Sequence, residues 1–254
     1  MSVELGSDFV AEVEIHRPPN NFFDVHLIRS LADAYDSLSA GRVCRAIVVC
    51  SEGKHFCAGA DFNNESDAEA LPEEGAGGLY YEAVRMFRAE LPVVAAVQGA
   101  AIGGGLGVAC SADFRVGAPE ARFAANFARL GFHQGFALSV TLPQIVGSQA
   151  ALEMLYTGRR IPGAEAHALG LCDRLAASAG TVRSEARAFA TEIASSGPLA
   201  VRAIRKTMRG HLADEVARIT PLEDAEQITL RTTEDFAEGT RASLERREPV
   251  FRGV

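Results

Sequence analysis

The chain has 254 residues, 48% of them hydrophobic and 23% charged, with a net charge of −8 at pH 7. That composition suits one large globular domain, or one domain with an appendage, and its acidic balance argues against nucleic acid or an anionic membrane surface as a main partner. No apolar run approaches the roughly 18 residues needed to span a bilayer, and no leader-like segment precedes the first strand pattern, so a cytoplasmic location is expected.

In chain order, Phe9 to Ile15 (FVAEVEI) alternates apolar and polar residues as a half-buried strand does, and HRPPNN from His16 ends it. Asp24 is placed to cap a helix in which Val25, Ile28, Leu31, Ala32, Tyr35 and Leu38 recur at helical spacing, ending near Gly41. Cys44 to Cys50 (CRAIVVC) is a short β-branched run that predicts a buried strand. Strand, helix, strand implies a crossover and a sheet covered by helices. A polar loop, SEGKHFCAGADFNN, follows, and the acidic, glycine-rich stretch 64–78 is expected to be a mobile surface segment. Leu79 to Leu91 predicts a helix and Pro92 to Val97 a strand, with further short strands at 113–116 and 121–123. From Ser139 the pattern is helical: 140–146, 150–156, 162–169, 182–195, 199–209 and 233–247, with glycines as stops.

Five cysteines, Cys44, Cys50, Cys57, Cys110 and Cys172, are scattered and mostly within apolar runs, which predicts buried thiols rather than disulfides. No CxxC, no His/Cys cluster and no HExxH pair points to a metal.

The stretch Val97 to Asp113, VQGAAIGGGLGVACSAD, carries the strongest local signal. An apolar strand runs into Gly103, Gly104 and Gly105 and then a small-residue helix, so bare amides stand at a helix N-terminus that already favours negative charge. A phosphate loop would need Gly-Lys-Ser/Thr where Leu106 and Gly107 stand, and the third glycine of a dinucleotide fingerprint would fall at Val108. Two readings remain: a packing turn, or donors for an oxygen that develops charge. A second Gly/Ala-rich loop, His55 to Asp61 (HFCAGAD), also leaves a strand end and leads toward a helix. Amides converging from the two loops would make an oxyanion hole for a carbonyl. Asp61 either caps the following segment or contacts a ligand.

In order, KHFCAGAD, PVVAAVQGAAIGGGLGVACSAD, FARLGFHQG, ALEMLYTGRRI, EAHALGLCDRL and a basic C-terminal segment ending PVFRG span nearly the whole chain. Together they resemble the crotonase (enoyl-CoA hydratase/isomerase) superfamily. The resemblance implies an α/β fold, a crotonase-like spiral of ββα units over residues 1–195, with a helical C-terminal trimerisation region over 196–254. It implies homotrimers or hexamers built as dimers of trimers, and binding of an acyl-CoA thioester, with coenzyme A as part of the substrate and no permanently bound cofactor. The thioester oxygen would be held by the amides of Ala60 and Gly104, with Ala58, Asp61 and Gly103 beside it.

The same resemblance marks departures. The two hydratase glutamates align with Gly107 and Phe127, and the aspartate of dienoyl-CoA isomerases aligns with Gly135. Hydration is therefore doubtful, and decarboxylation, carbon-carbon cleavage or binding without catalysis are the alternatives. His133, in GFHQG, is the substitute acid or base that the family's pocket segment offers, unless it only satisfies a backbone carbonyl. Tyr80 and Tyr81 reach either the acyl pocket or the core. The family's phosphate-binding lysine aligns with Arg246, which keeps the charge, and its aromatic neighbour aligns with Ser243.

Overall fold

The structure, a computed structural model, describes residues 1–61 and 75–254, with side chains from residue 78 onward in the second stretch. The greater part of the expected mobile segment 64–78 lies outside the described residues. Its last part does not behave as expected: Gly75–Phe87 forms a helix that begins before Leu79.

Strands β1 (Ser2–Leu5), β2 (Val10–Ile15), β3 (Ala46–Ser51), β4 (Val93–Val97), β6 (Phe114–Gly117) and β9 (Arg174–Leu175) form a six-stranded sheet in the order β1-β2-β3-β4-β6-β9. Only β1 runs antiparallel to its neighbour. A second, three-stranded sheet holds β5 (Ala100–Ile102), β7 (Arg122–Ala124) and β8 (Ile161–Pro162) in the order β5-β7-β8. Three successive passes of the chain feed both sheets. β3 continues to a bridge between Cys57 and Ala101, β4 to β5, and β6 to β7. The apolar run predicted as one strand into the glycines is thus two strands, divided at Gln98-Gly99.

Helix α1 (Val25–Gly41) starts as expected, with Asp24 accepting from the amide of Leu27 at 2.7 Å. Helices α2 (Gly75–Phe87) and α3 (Gly104–Ser111) follow, then α4 (Leu138–Val146), α5 (Ser148–Thr157), α6 (Gly163–Ala168), α7 (Val182–Ala194), α8 (Pro198–Arg209), α9 (Leu212–Arg231) and α10 (Glu234–Glu245).

The sheet separates two apolar cores, which explains why its central strands are buried throughout. Ile47 and Val49 of β3 join the large core under α1, α2 and α3, while Ala46, Val48 and Cys50 face the smaller one under α7. Leu212, Ala213 and Val216 of α9 belong to the large core, so this helix is continuous with it. Helix α9 is not among the helices that periodicity predicts. Pro221 lies inside it, and its inward face changes from apolar to polar along its length. All five cysteines are buried and free. No helix among the described residues is long and apolar enough to cross a membrane.

Candidate active site

The two glycine-containing loops meet because β5 pairs beside the Cys57 segment. The Cys57 amide donates to Ala100 O at 2.9 Å and the Ile102 amide to Cys57 O at 3.0 Å. The loop after β2 braces the other side: Ala58 N–H donates to Asn20 O, Phe23 N–H donates to Gly59 O, and the buried Asn21 side chain donates to His55 O at 2.6 Å. HRPPNN, which in the sequence only terminates a strand, therefore shapes the Ala58–Ala60 loop.

Each glycine of the triplet answers a different constraint. Gly103 adopts φ 55°, a left-handed conformation open to glycine at little cost. A Cβ on Gly104 would stand 2.8 Å from the Phe23 ring, and one on Gly105 would collide with the backbone oxygen of Cys57. The chain is stripped of side chains here so that α3 can begin against the Cys57–Ala60 loop.

A cavity of about 520 Å³ opens at this junction, and Ala58, Ala60, Asp61, Gly103, Gly104, Phe127 and Gly135 all line it. Neither the Ala60 nor the Gly104 amide has a protein acceptor among the described residues. At Gly104 this follows from its place in the first turn of α3.

The wall holds one carboxylate, Asp61, and one imidazole, His55, among the described residues. His55 Nδ1 accepts from the Ala100 amide at 3.3 Å, which leaves the proton of the neutral ring on Nε2; burial, with Lys54 nearby, holds its pKa below the ordinary histidine value.

Three expected site residues lie off the wall. His133 is part-buried, its Nδ1–H donating to Gln134 O at 2.7 Å while its own carbonyl accepts from Gln227. Arg246 is exposed in a left-handed C-cap at the end of α10, although Ser243 and Leu244 of that helix do line the cavity. Gly107 is also behind the wall. A Cβ there would stand 2.7 Å from Phe136, whose ring packs edge-on against Phe23 with centroids 5.1 Å apart. The direction in which a side chain at 107 would project is filled by an aromatic ring.

Phe136 reaches that position through an unusual turn. Phe136 and Ala137 have φ 55° and 60°, a conformation that costs non-glycine residues about 1 kcal/mol or more each. Glu223 of α9, fully buried, grips the turn: its carboxylate accepts from the amides of Ala137 at 2.8 Å and Ser139 at 3.0 Å. It thereby caps α4, whose own N-cap residue supplies no side-chain acceptor. Burial pushes the Glu223 carboxyl above its ordinary range, with the Ser139 and Ala137 hydrogen bonds acting in the opposite direction.

A model of the family described as enoyl-CoA hydratase/isomerase matches residues 6–254. The chain belongs to the enoyl-CoA hydratase/isomerase family. A putative enoyl-CoA hydratase of Thermus thermophilus is 34% identical, covering 98% of this chain and 100% of that protein, and a probable enoyl-CoA hydratase of Bacillus subtilis is 32% identical over 96% of each. Among solved structures, an enoyl-CoA hydratase/isomerase from Pseudoalteromonas atlantica matches with a TM-score of 0.87 and 28% identity over 99% of both chains. The mixed α/β architecture is that of the family's known structures, and membership supports acyl-CoA thioester processing.

Several wall residues of this family member are not found by motif. Tyr80 lines the cavity and is buried, whereas Tyr81 is 66% exposed. Gln227 and Arg231 come from α9, the helix that periodicity misses. Their signal was the i, i+4, i+8 spacing of Glu223, Gln227 and Arg231.

Proposed function

We propose that this protein polarises an acyl-CoA thioester by donating the Ala60 and Gly104 amides to its carbonyl oxygen, and that the reaction forms a thioester enolate by loss of a leaving group rather than by addition of water. The carrying observation is the pair of unengaged amides on a wall whose only carboxylate, among the described residues, is Asp61. Each preorganised donor contributes about 3 to 4 kcal/mol to a transition state in which charge develops on that oxygen. In decarboxylation the bond from the α-carbon to its carboxylate breaks, its electron pair enters the enolate, carbon dioxide leaves, and a proton then returns to the α-carbon. Carbon-carbon cleavage generates the same enolate. Neither route needs a pair of glutamates, whereas water addition needs a base for the water and an acid for the α-carbon.

Crotonyl-CoA hydration and the turnover of malonyl-type and β-keto acyl-CoAs test this reading together. Hydration near the typical enzyme median of about 10 per second would refute it. Inert malonyl-type and β-keto substrates would favour the second reading, an acyl-CoA binding protein without catalysis. Asp61→Asn and His55→Gln examine the wall carboxylate and the wall imidazole, and His133→Ala is expected to leave turnover intact because His133 is off the wall.

We further propose that the protein works in the cytoplasm as a homotrimer or a hexamer of two trimers. Leu199, Ile204 and Met208 of α8 and Leu222 and Ile228 of α9 are large apolar side chains left exposed in the single chain, and such surface favours association.

A further inference from the structure

The inward face of α9 changes character where it reaches the cavity. Leu212 and Val216 are buried in the core, but Glu223, Gln227 and Arg231 continue that side of the helix as polar and charged residues. A wall meant only for a hydrocarbon chain would stay apolar.

The polar groups are arranged rather than scattered. At Gly135, where a Cβ would stand, Gln227 Nε2 lies 2.5 Å away and the Tyr80 hydroxyl 2.9 Å away, so the backbone is cut back to admit both heads. Gln227 is oriented at both ends: its Oε1 accepts from Tyr80 at 3.3 Å and its Nε2 donates to His133 O at 3.0 Å. One Nε2 hydrogen remains for a ligand. Arg231 stands on the same wall with its guanidinium over the Phe132 ring, 5.0 Å from the centroid. No carboxylate among the described residues lies within ion-pair distance of it. Arg85 and Arg183, by contrast, are each held by two or more acids. The titratable groups that act on Arg231 are Tyr80 and, two turns back on α9, Asp224.

We propose that Arg231, with the free N–H of Gln227, binds a carboxylate carried on the acyl group, so that the substrate is the CoA thioester of a dicarboxylic acid. The guanidinium fork matches a carboxylate in two parallel hydrogen bonds, and the Phe132 ring beneath it supports its position on the wall. Tyr80 acts through Gln227 as a positioning residue. The inference rests on the acyl-CoA reading above.

Isothermal titration of the full chain with glutaryl- and adipyl-CoA, against pentanoyl- and hexanoyl-CoA, tests it without turnover. The diacid thioesters are expected to bind at least about tenfold more tightly, a difference of about 1.4 kcal/mol. Arg231→Met is expected to abolish that advantage, with circular dichroism and thermal unfolding reporting that the variant is folded, and Arg231→Lys to keep part of it. Equal affinities of the wild-type protein for diacid and monoacid thioesters would overturn the inference while leaving the acyl-CoA reading intact. If none of the four binds, the acyl-CoA reading fails, and this inference falls with it.

Discussion

Removing the Glu223 carboxylate is expected to loosen the turn that places Phe136. In Glu223→Ala the amides of Ala137 and Ser139 lose their acceptor, and an unsatisfied buried donor costs about 1–3 kcal/mol. The return of a buried carboxyl to water offsets part of this, because burial already holds its pKa above the ordinary value. The net expectation is a loss of about 2 kcal/mol, roughly 4–8 °C in Tm for a chain of this size, measured by thermal and urea unfolding. Glu223→Gln keeps one acceptor and is expected to lose about half as much. The pH dependence has a definite sign. A carboxyl whose folded pKa is raised contributes stability that is complete below its unfolded value of about 4.5 and is lost as pH rises through the folded value. The stability gap between wild type and Glu223→Gln therefore narrows as pH increases from about 4.5. A gap that widens with pH would refute burial as the dominant influence on this carboxyl, and Glu223→Ala matching wild type would refute the account of Glu223 as the cap of α4.

Gly107→Ala ought to gain up to about 1 kcal/mol from helix propensity, but its Cβ meets Phe136 at 2.7 Å, and overpacking of about 1–3 kcal/mol should prevail; urea unfolding is expected to show net destabilisation. Gly104→Ala forces its Cβ against the Phe23 ring at 2.8 Å and displaces the amide. Isotope-edited infrared spectra of a bound saturated acyl-CoA should then show a thioester carbonyl stretch shifted less far below its value in water than in the wild-type complex. The five thiols should resist an aromatic disulfide reagent in the native state at pH 8 and react on unfolding, since all are buried and burial pushes Cys57 up to about 12; rapid native labelling would contradict the packing around Cys57.

Much of the site was legible from local sequence. Three consecutive glycines, the HFCAGAD loop and the apolar runs before each are near-neighbour patterns, and the constraints behind them, a positive φ at Gly103 and close backbone approach at Gly105, act over a few residues. The alternation of Ile47 and Val49 with Val48 and Cys50 between two cores is likewise implicit in a continuous β-branched run. Less legible was the outcome at Gly107. The sequence shows a glycine where the resemblance implies a carboxylate, and only the fold shows that Phe136 occupies the space, because that ring is brought in by a turn held from residue 223.

The order of motifs and the strand-to-helix turns could be read from the sequence alone, because the turns depend on backbone sterics between close neighbours, while the Ala60 and Gly104 amides entered as what the resemblance implies. The tertiary structure alone decided that those amides share a cavity, that His133 and Arg246 stand off its wall, and that Tyr80, Gln227 and Arg231 stand on it. Those facts depend on the bridge between Cys57 and Ala101 beside the second sheet and on α9 continuing through Pro221. Both arise from contacts between residues distant in the chain, whose packing free energy overrides the local preferences that a sequence displays.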